Sequence, residues 1–268
     1  MTKRGIIIGF GRAGKRHGKI LDELGIEWAF YDPDVSQTER AVTVIVPDKD
    51  EEKRLATALE HYHCSFAVIC TPPDLHLRQI RQCLDAGLPV LCEKPLCDLG
   101  QLAEAEALLE HPKASKVMIG FNYRWHPKLR TPNGLPEMLV CRQQRNNLPD
   151  WGLLLDHCSH DLDIMRSQVG GQLTITSASH NRREGFEWWD IVGTAQGQDI
   201  SIEEWVGPSK QRVAKLAFSD HIVDIDADPM MYKAMWEAFL RGEYEPGLGE
   251  AIETQRLLER CAELANGL

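Results

Sequence analysis

Arg4-Gly5-Ile6-Ile7-Ile8-Gly9-Phe10-Gly11-Arg12-Ala13-Gly14-Lys15-Arg16-His17 decides the fold of this chain. The apolar run Ile6–Ile8 reads as a buried parallel strand. The glycines that follow have G-x-G-x-x-G spacing, and each has its own task. Gly9 makes a tight turn, Gly11 lets backbone approach a pyrophosphate, and Gly14 lets helix and strand pack closely. Ile20, Leu21 and Leu24 then recur at helical spacing, with Gly25 as the stop. The N–H groups and positive dipole end of that helix are suited to phosphates. A second strand, Ile26 to Tyr31, ends at Asp32, where an acid meets a ribose 2′-OH. Such an acid favours NAD over NADP, although Arg12 and Arg16 nearby can offset its repulsion of a 2′-phosphate.

Working outward, strand and helix patterns alternate. Ala41 to Val46 reads as a strand, Glu51 to Tyr62 as a helix, and Ser65 to Cys70 as a strand ending in Thr71-Pro72-Pro73. A helix from about Leu75 to Ala86 stops at Gly87. The strand Pro89–Cys92 runs into Glu93-Lys94-Pro95, where a Lys-Pro bond can be cis at modest cost. Asp98 and Gln101 have capping-box spacing ahead of Leu102, Ala105, Leu108 and Leu109. Lys116 to Gly120 is one more strand. This order predicts an α/β chain that opens with an N-terminal Rossmann domain, a doubly wound parallel sheet over residues 1–121. Polar or proline-rich strand ends converge on one edge of that sheet.

Residues 122–268 read differently, as a C-terminal α/β domain with a mostly antiparallel open sheet. Met138 to Arg145 is a candidate strand and Leu153 to Met165 a helix. Alternating segments follow at 173–180, 186–194, 200–205, 212–218 and 221–225, and two helices close the chain, the first entered through Asp228-Pro229. Asp156, His160 and Asp163 fall on one face if the helix turns about 100° per residue. An imidazole with a carboxylate one turn away suits general acid/base work. A solvated polar face is the bland alternative. A metal site from His157, His160 and a carboxylate is weaker, because the two imidazoles diverge; the expectation is no metal. Lys94, at a strand end, can donate to a carbinol oxygen. Arg124 and His126 are secondary candidates. Trp125, Trp151, Trp188, Trp189 and Trp205 invite either sugar stacking or plain packing, and Trp188 and Trp189 must face opposite sides of their strand.

The 268 residues carry a formal charge of −10 and no basic stripe, which argues against nucleic acid and against an anionic membrane. No apolar run reaches membrane-spanning length. Eight scattered cysteines without a C-x-x-C suggest a reducing cytoplasm.

Gly9–Gly14, Thr71-Pro72-Pro73-Asp74-Leu75-His76, Glu93-Lys94-Pro95 and the Asp156, His160, Asp163 spacing occur in an order that resembles the glucose–fructose oxidoreductase/inositol dehydrogenase/MocA (Gfo/Idh/MocA) family. Gly120 to Pro127 is similar to that family's exit from the nucleotide domain. The resemblance implies a nicotinamide cofactor and redox chemistry at a secondary alcohol or ketone of a sugar, cyclitol or nucleotide-sugar. It implies cofactor contacts from Gly9, Phe10, Gly11, Arg12, Ala13, Gly14, Asp32, Thr71, Pro72, His76, Glu93 and Lys94. It implies catalysis by Lys94, Asp156 and His160, and a homodimer or homotetramer formed through the second sheet. The chain is shorter than most members, with the loss between Arg130 and Trp151 and in the second-domain strands. A silent dinucleotide sensor, or an imine or tetrapyrrole reductase, are the competing readings on this scaffold.

Overall fold

The computed structural model describes residues 3–32, 51–130, 135–144, 152–170, 172–184, 186–207, 213–225 and 228–267. The strand expected at Ala41–Val46 and Trp151 lie outside them. The chain divides into two compact units. The first comprises Met1–Cys97, Ala103–Gly120 and Trp236–Gly249; the second comprises Asp98–Leu102, Phe121–Met235 and Glu250–Leu268.

The first unit is built on a five-stranded parallel sheet of order β2-β1-β3-β4-β5, with β1 at Arg4–Ile8, β2 at Glu27–Tyr31, β3 at Phe66–Ile69, β4 at Val90–Cys92 and β5 at Val117–Ile119. Ile6, Ile7, Ile8, Val68, Ile69, Val90 and Val117 are wholly buried, as expected of strands covered on both faces. Between them run α1 (Arg12–Glu23), α2 (Glu51–Tyr62) and α3 (His76–Asp85), and α4 (Leu102–Leu108) precedes β5. Helix α1 ends in a Schellman motif: Gly25 N–H donates to Asp22 O and Ile26 N–H to Leu21 O, with Gly25 at φ +67°. Before α4 the capping box is half made. The Gln101 side chain accepts from Asp98 N–H at 2.9 Å, but the Asp98 carboxylate accepts from Leu99 N–H instead.

A single cut after residue 121 misses a return of the chain. Trp236–Gly249 belongs to the first unit because its groups complete that unit's core. Trp236 packs edge-on to Phe66 at 5.7 Å, and Ile119 N–H donates to Pro246 O at 2.9 Å. Nothing in the local sequence signals this, since a buried tryptophan can serve either core.

The second unit carries a six-stranded sheet of order β11-β10-β6-β9-β8-β7. Its strands are β6 (Met138–Gln144), β7 (Thr174–Arg183), β8 (Phe186–Ala195), β9 (Gln198–Gly207), β10 (Val213–Ala217) and β11 (Ile222–Asp224). All pairings are antiparallel except β6 with β9. Burial alternates along β8 and β9, so one face meets the core and the other is open. The β8–β9 hairpin turns on Gln196 and Gly197, at φ +51° and +80°, the left-handed pair that a two-residue loop requires. The inner face packs on α5 (Ser159–Gln168) and on part of α7 (Leu248–Ala265) through Ile191, Ile202, Leu216, Leu162, Met165 and Leu258. Helix α6 (Pro229–Arg241) starts where Asp228 Oδ1 accepts from Met230 N–H.

Ahead of α5 the chain departs from the expected helix. Leu154–Cys158 is a π-helical turn. Its wider i→i+5 winding breaks the 100° progression assumed for Asp156, His160 and Asp163.

Candidate functional site

In the first unit, the carboxyl ends of parallel strands gather the loop and the charged residues. Gly9 sits at φ +87°, and a Cβ there would come within 2.8 Å of the Cys70 carbonyl carbon, so only glycine makes this turn. A Cβ on Gly14 would lie 2.2 Å from Gly9 O, which is the close approach of helix and strand expected at the third position. A Cβ on Gly11 meets nothing within 4 Å. The chain itself leaves that side open, as backbone contact with a pyrophosphate requires. Asp32 follows β2, and its Oδ2 accepts from Phe10 N–H at 2.6 Å, tying the acid to the loop. The Phe10 ring turns back onto Phe30 at 4.2 Å. These features fit an NAD-type dinucleotide, with the diphosphate at Gly9–Gly14 and the adenosine ribose at Asp32.

Three further predicted residues serve the same edge from inside. The Thr71 hydroxyl donates to Gln79 Oε1 at 2.6 Å. His76 is buried, with Nδ1 2.9 Å from Pro95 O and Nε2 2.9 Å from Thr71 O. Burial lowers its pKa, opposed by those two carbonyls. A neutral ring donates to one of them, so His76 holds the Thr71 loop against the Pro95 loop. Glu93 is buried, and its Oε1 lies 2.9 Å from His17 Nε2. Trp236 Nε1 donates to His17 Nδ1 at 3.0 Å, which leaves Nε2 as the protonated nitrogen facing Glu93. Burial raises the Glu93 pKa, but the His17 bond and the charges of Lys94 and Arg16 outweigh it and hold the carboxyl below its ordinary value. Lys94 is half-buried beside it, and its bond to Pro95 is cis.

His17 is the residue that sequence reasoning passed over. The signal was present: His17 falls on the α1 stripe with Gly14, Gly18 and Leu21, all buried.

The other two predicted catalytic residues stand in the second unit. His160 is half-buried, its ring edge-on to Phe121 at 6.2 Å and Tyr123 at 5.2 Å. Asp156 is buried in the π turn, and its Oδ2 lies 3.3 Å from His157 Nε2. The His157 imidazole thus lies against this carboxylate. Asp163 is fully committed inside the fold. Arg124 donates to it twice, Nε to Oδ2 at 2.8 Å and Nη2 to Oδ1 at 2.7 Å, and to Glu250 at 2.8 Å. Arg124 thus meets the protein's own carboxylates. His126 is buried and accepts from Lys128 N–H.

Trp189 is buried while Trp188 is on the open face, opposed across strands by Trp205. With Asp190 and Glu203 these two line an open depression of about 400 Å³. All eight cysteines are free thiols. Among the described residues no helix is long and apolar enough to cross a membrane.

Comparison with known proteins agrees with the geometry. The model of the Gfo/Idh/MocA family, described as an oxidoreductase family with an NAD-binding Rossmann fold, matches residues 3–123. The chain is 29% identical over 288 residues to inositol 2-dehydrogenase 1 of Paenarthrobacter aurescens, covering 95% of this chain and 83% of that one. It is 25% identical over 290 residues to an inositol 2-dehydrogenase of an Arthrobacter species, with the same 95% and 83% coverage. Among solved structures, a myo-inositol dehydrogenase of Corynebacterium glutamicum superposes with a TM-score of 0.78 at 22% identity, covering 100% of this chain and 97% of that one. The WlbA dehydrogenase of Thermus thermophilus, solved with NAD and UDP-GlcNAcA, gives 0.73 at 20% identity, covering 96% and 94%. At these identities the superpositions establish the shared fold.

Proposed function

Because the chain belongs to the Gfo/Idh/MocA oxidoreductase family, with its NAD-binding Rossmann fold, we propose that it moves hydride between NAD and a secondary alcohol or ketone of a cyclitol or sugar. The observation that carries this reading is the C-terminal edge of the parallel sheet. There the Gly9–Gly14 loop, Asp32 and Lys94 follow β1, β2 and β4. The names of the relatives, inositol 2-dehydrogenases over 95% of this chain, favour a cyclitol over a nucleotide-sugar.

NAD, when bound, supplies the hydride acceptor. Gly11, Arg12, Ala13 and Gly14 would present backbone N–H groups to the diphosphate, Gly9 and Phe10 would shape the turn with N–H groups already given to Tyr31 O and Asp32, and Asp32 would accept from the ribose hydroxyls. Thr71, Pro72, His76 and Glu93 would shape the edge that holds the nicotinamide half. The Lys94 ammonium donates to the carbinol oxygen and stabilises its developing negative charge. His160 takes the hydroxyl proton in oxidation and returns it in reduction, and Asp156 orients the proton path.

The test is a panel of cyclitols, sugars and nucleotide-sugars, followed by absorbance of the reduced nicotinamide. Lys94→Met is expected to keep NAD binding, measured calorimetrically, and to lower kcat at least about 100-fold. Unchanged turnover would sink the role of Lys94. A chain that binds NAD yet turns over no member of the panel belongs to the sensor reading. The open sheet face with Trp188 and Trp205 is where a second copy would pair, and a monomeric mass by light scattering would refute that. Eight free thiols accord with a reducing cytoplasm.

A further inference from the structure

Behind Glu93 and Lys94, inside the first unit, a short chain of hydrogen bonds runs through three buried side chains. Trp236 on α6 is wholly buried, edge-on to Phe66 and to Phe239 at 5.7 Å each, so its indole has one seat. An indole N–H can only donate, and this one donates to His17 Nδ1 at 3.0 Å. The His17 ring, 1% exposed, is left with its hydrogen on Nε2, which donates to Glu93 Oε1 at 2.9 Å. Glu93 is held elsewhere too. Its N–H donates to Ile69 O at 2.9 Å, and a Cβ on Gly120 would come within 3.4 Å of both Glu93 Oε2 and Glu93 Cα. Glycine at 120 thus keeps clear the space that Oε2 lies against. The Glu93 side chain is 11% exposed, so it is nearly dry yet still reaches the strand end.

We propose that His17 is a positioning residue for the nicotinamide half of the dinucleotide: anchored by Trp236, it holds Glu93 as an oriented acceptor beside Lys94. The proposal rests on the NAD reading of this sheet edge. The placement follows from strand order. Asp32 follows β2 and the glycine loop follows β1, while Glu93 and Lys94 follow β4, on the other side of β1 and beyond β3. A dinucleotide with its adenosine ribose at β2 and its diphosphate at β1 extends its second half toward β4. That half carries ribose hydroxyls and a carboxamide N–H, donors that a carboxylate accepts. Burial works against a charged Glu93, and the His17 bond is the largest of the influences that oppose burial. Without His17 the carboxyl loses its orientation and the chief support of its charge, and Lys94 loses the opposite charge beside it. No step of the reaction passes through His17 itself; it acts through Glu93 alone.

The test titrates the whole chain with NAD and with ADP by calorimetry. ADP reports on the glycine loop and Asp32 without the nicotinamide half. His17→Asn puts an amide oxygen where Nδ1 was, so it keeps the bond from Trp236 and loses the donor to Glu93. His17→Gln reaches as far as Nε2 and keeps that donor. His17→Asn is expected to raise the Kd of NAD about ten-fold or more and to leave that of ADP unchanged, whereas His17→Gln binds both as the unaltered chain does. In a Glu93→Gln background His17→Asn is expected to add nothing, as it must if it acts through that carboxylate. Where His17→Asn does not fold, Trp236→Phe, which keeps the ring packing and removes the N–H, takes its place and is expected to weaken NAD but not ADP. Equal losses for NAD and ADP mark a histidine that only supports the fold, and overturn the proposal. So do NAD binding unmoved by the variant, a His17→Gln chain no better than His17→Asn, or effects additive with Glu93→Gln. Binding decides each of these outcomes. NAD bound without turnover of any panel member ends the oxidoreductase reading and leaves this test standing; a chain that binds no NAD ends both.

Discussion

Asp32, Glu93 and His17 show how much of a site one position can carry. Asp32 was legible because its role depends on its distance along the chain from a glycine loop. Asp32→Ala is expected to raise KM for NAD and to relax the preference over NADP, since the carboxylate both accepts from ribose hydroxyls and repels a 2′-phosphate. Comparing kcat/KM for the two cofactors checks it, and an enzyme that prefers NADP with Asp32 intact contradicts it. Glu93 was visible only as part of a motif; its partner His17 was quoted and passed over, because the tie between them is tertiary. The folded-state pKa of Glu93 is depressed. Its stabilising contribution is therefore complete above the unfolded value of about 4.3 and is lost as pH falls through the folded value. Glu93→Gln is expected to flatten the acid limb of a stability–pH curve measured by denaturant melts. An unchanged limb would remove Glu93 from the account.

At the scale of elements, glycines carry the sharpest expectations. Gly25 closes α1 in the left-handed region, and a Cβ there would meet nothing within 4 Å. Gly25→Ala therefore meets only backbone strain, about 1 kcal/mol. Gly14→Ala drives a methyl to 2.2 Å from Gly9 O and must part α1 from β1. It is expected to cost several times more and to abolish NAD binding, where Gly25→Ala leaves binding intact; chemical denaturation and calorimetry separate the two. Parallel strands and their helices were readable because apolar runs and glycine stops are local signals. The π turn at Leu154–Cys158 was not. Its residues are ordinary helix formers, and the extra winding is set by packing under the sheet.

For the molecule as a whole, the second unit leans on Arg124. This guanidinium joins Asp163 in the middle of α5 to Glu250 on α7, and Arg166 also reaches Glu250, at 3.5 Å. Burial raises the Asp163 pKa against the pull of Arg124, a measure of how dry that carboxylate is. Arg124→Met leaves it without its bidentate partner, and a loss of about 3–5 kcal/mol is expected. Thermal unfolding measures this, and a loss below about 1 kcal/mol would make Arg124 a surface residue after all.

Sequence alone determined the succession of elements, the nucleotide loop with its acid, and the family likeness. These rest on backbone demands and hydrophobic periods, which neighbours in the chain impose on one another. Tertiary structure alone decided which carboxylate meets which base. Arg124 found Asp163, Glu93 found His17, Trp236 closed on that same imidazole, and Cys141 met Asp161 in a dry core. Such pairings join residues far apart along the chain, and only the packing of sheet on helix, which removes water and forces every buried charge to find a partner, selects among them.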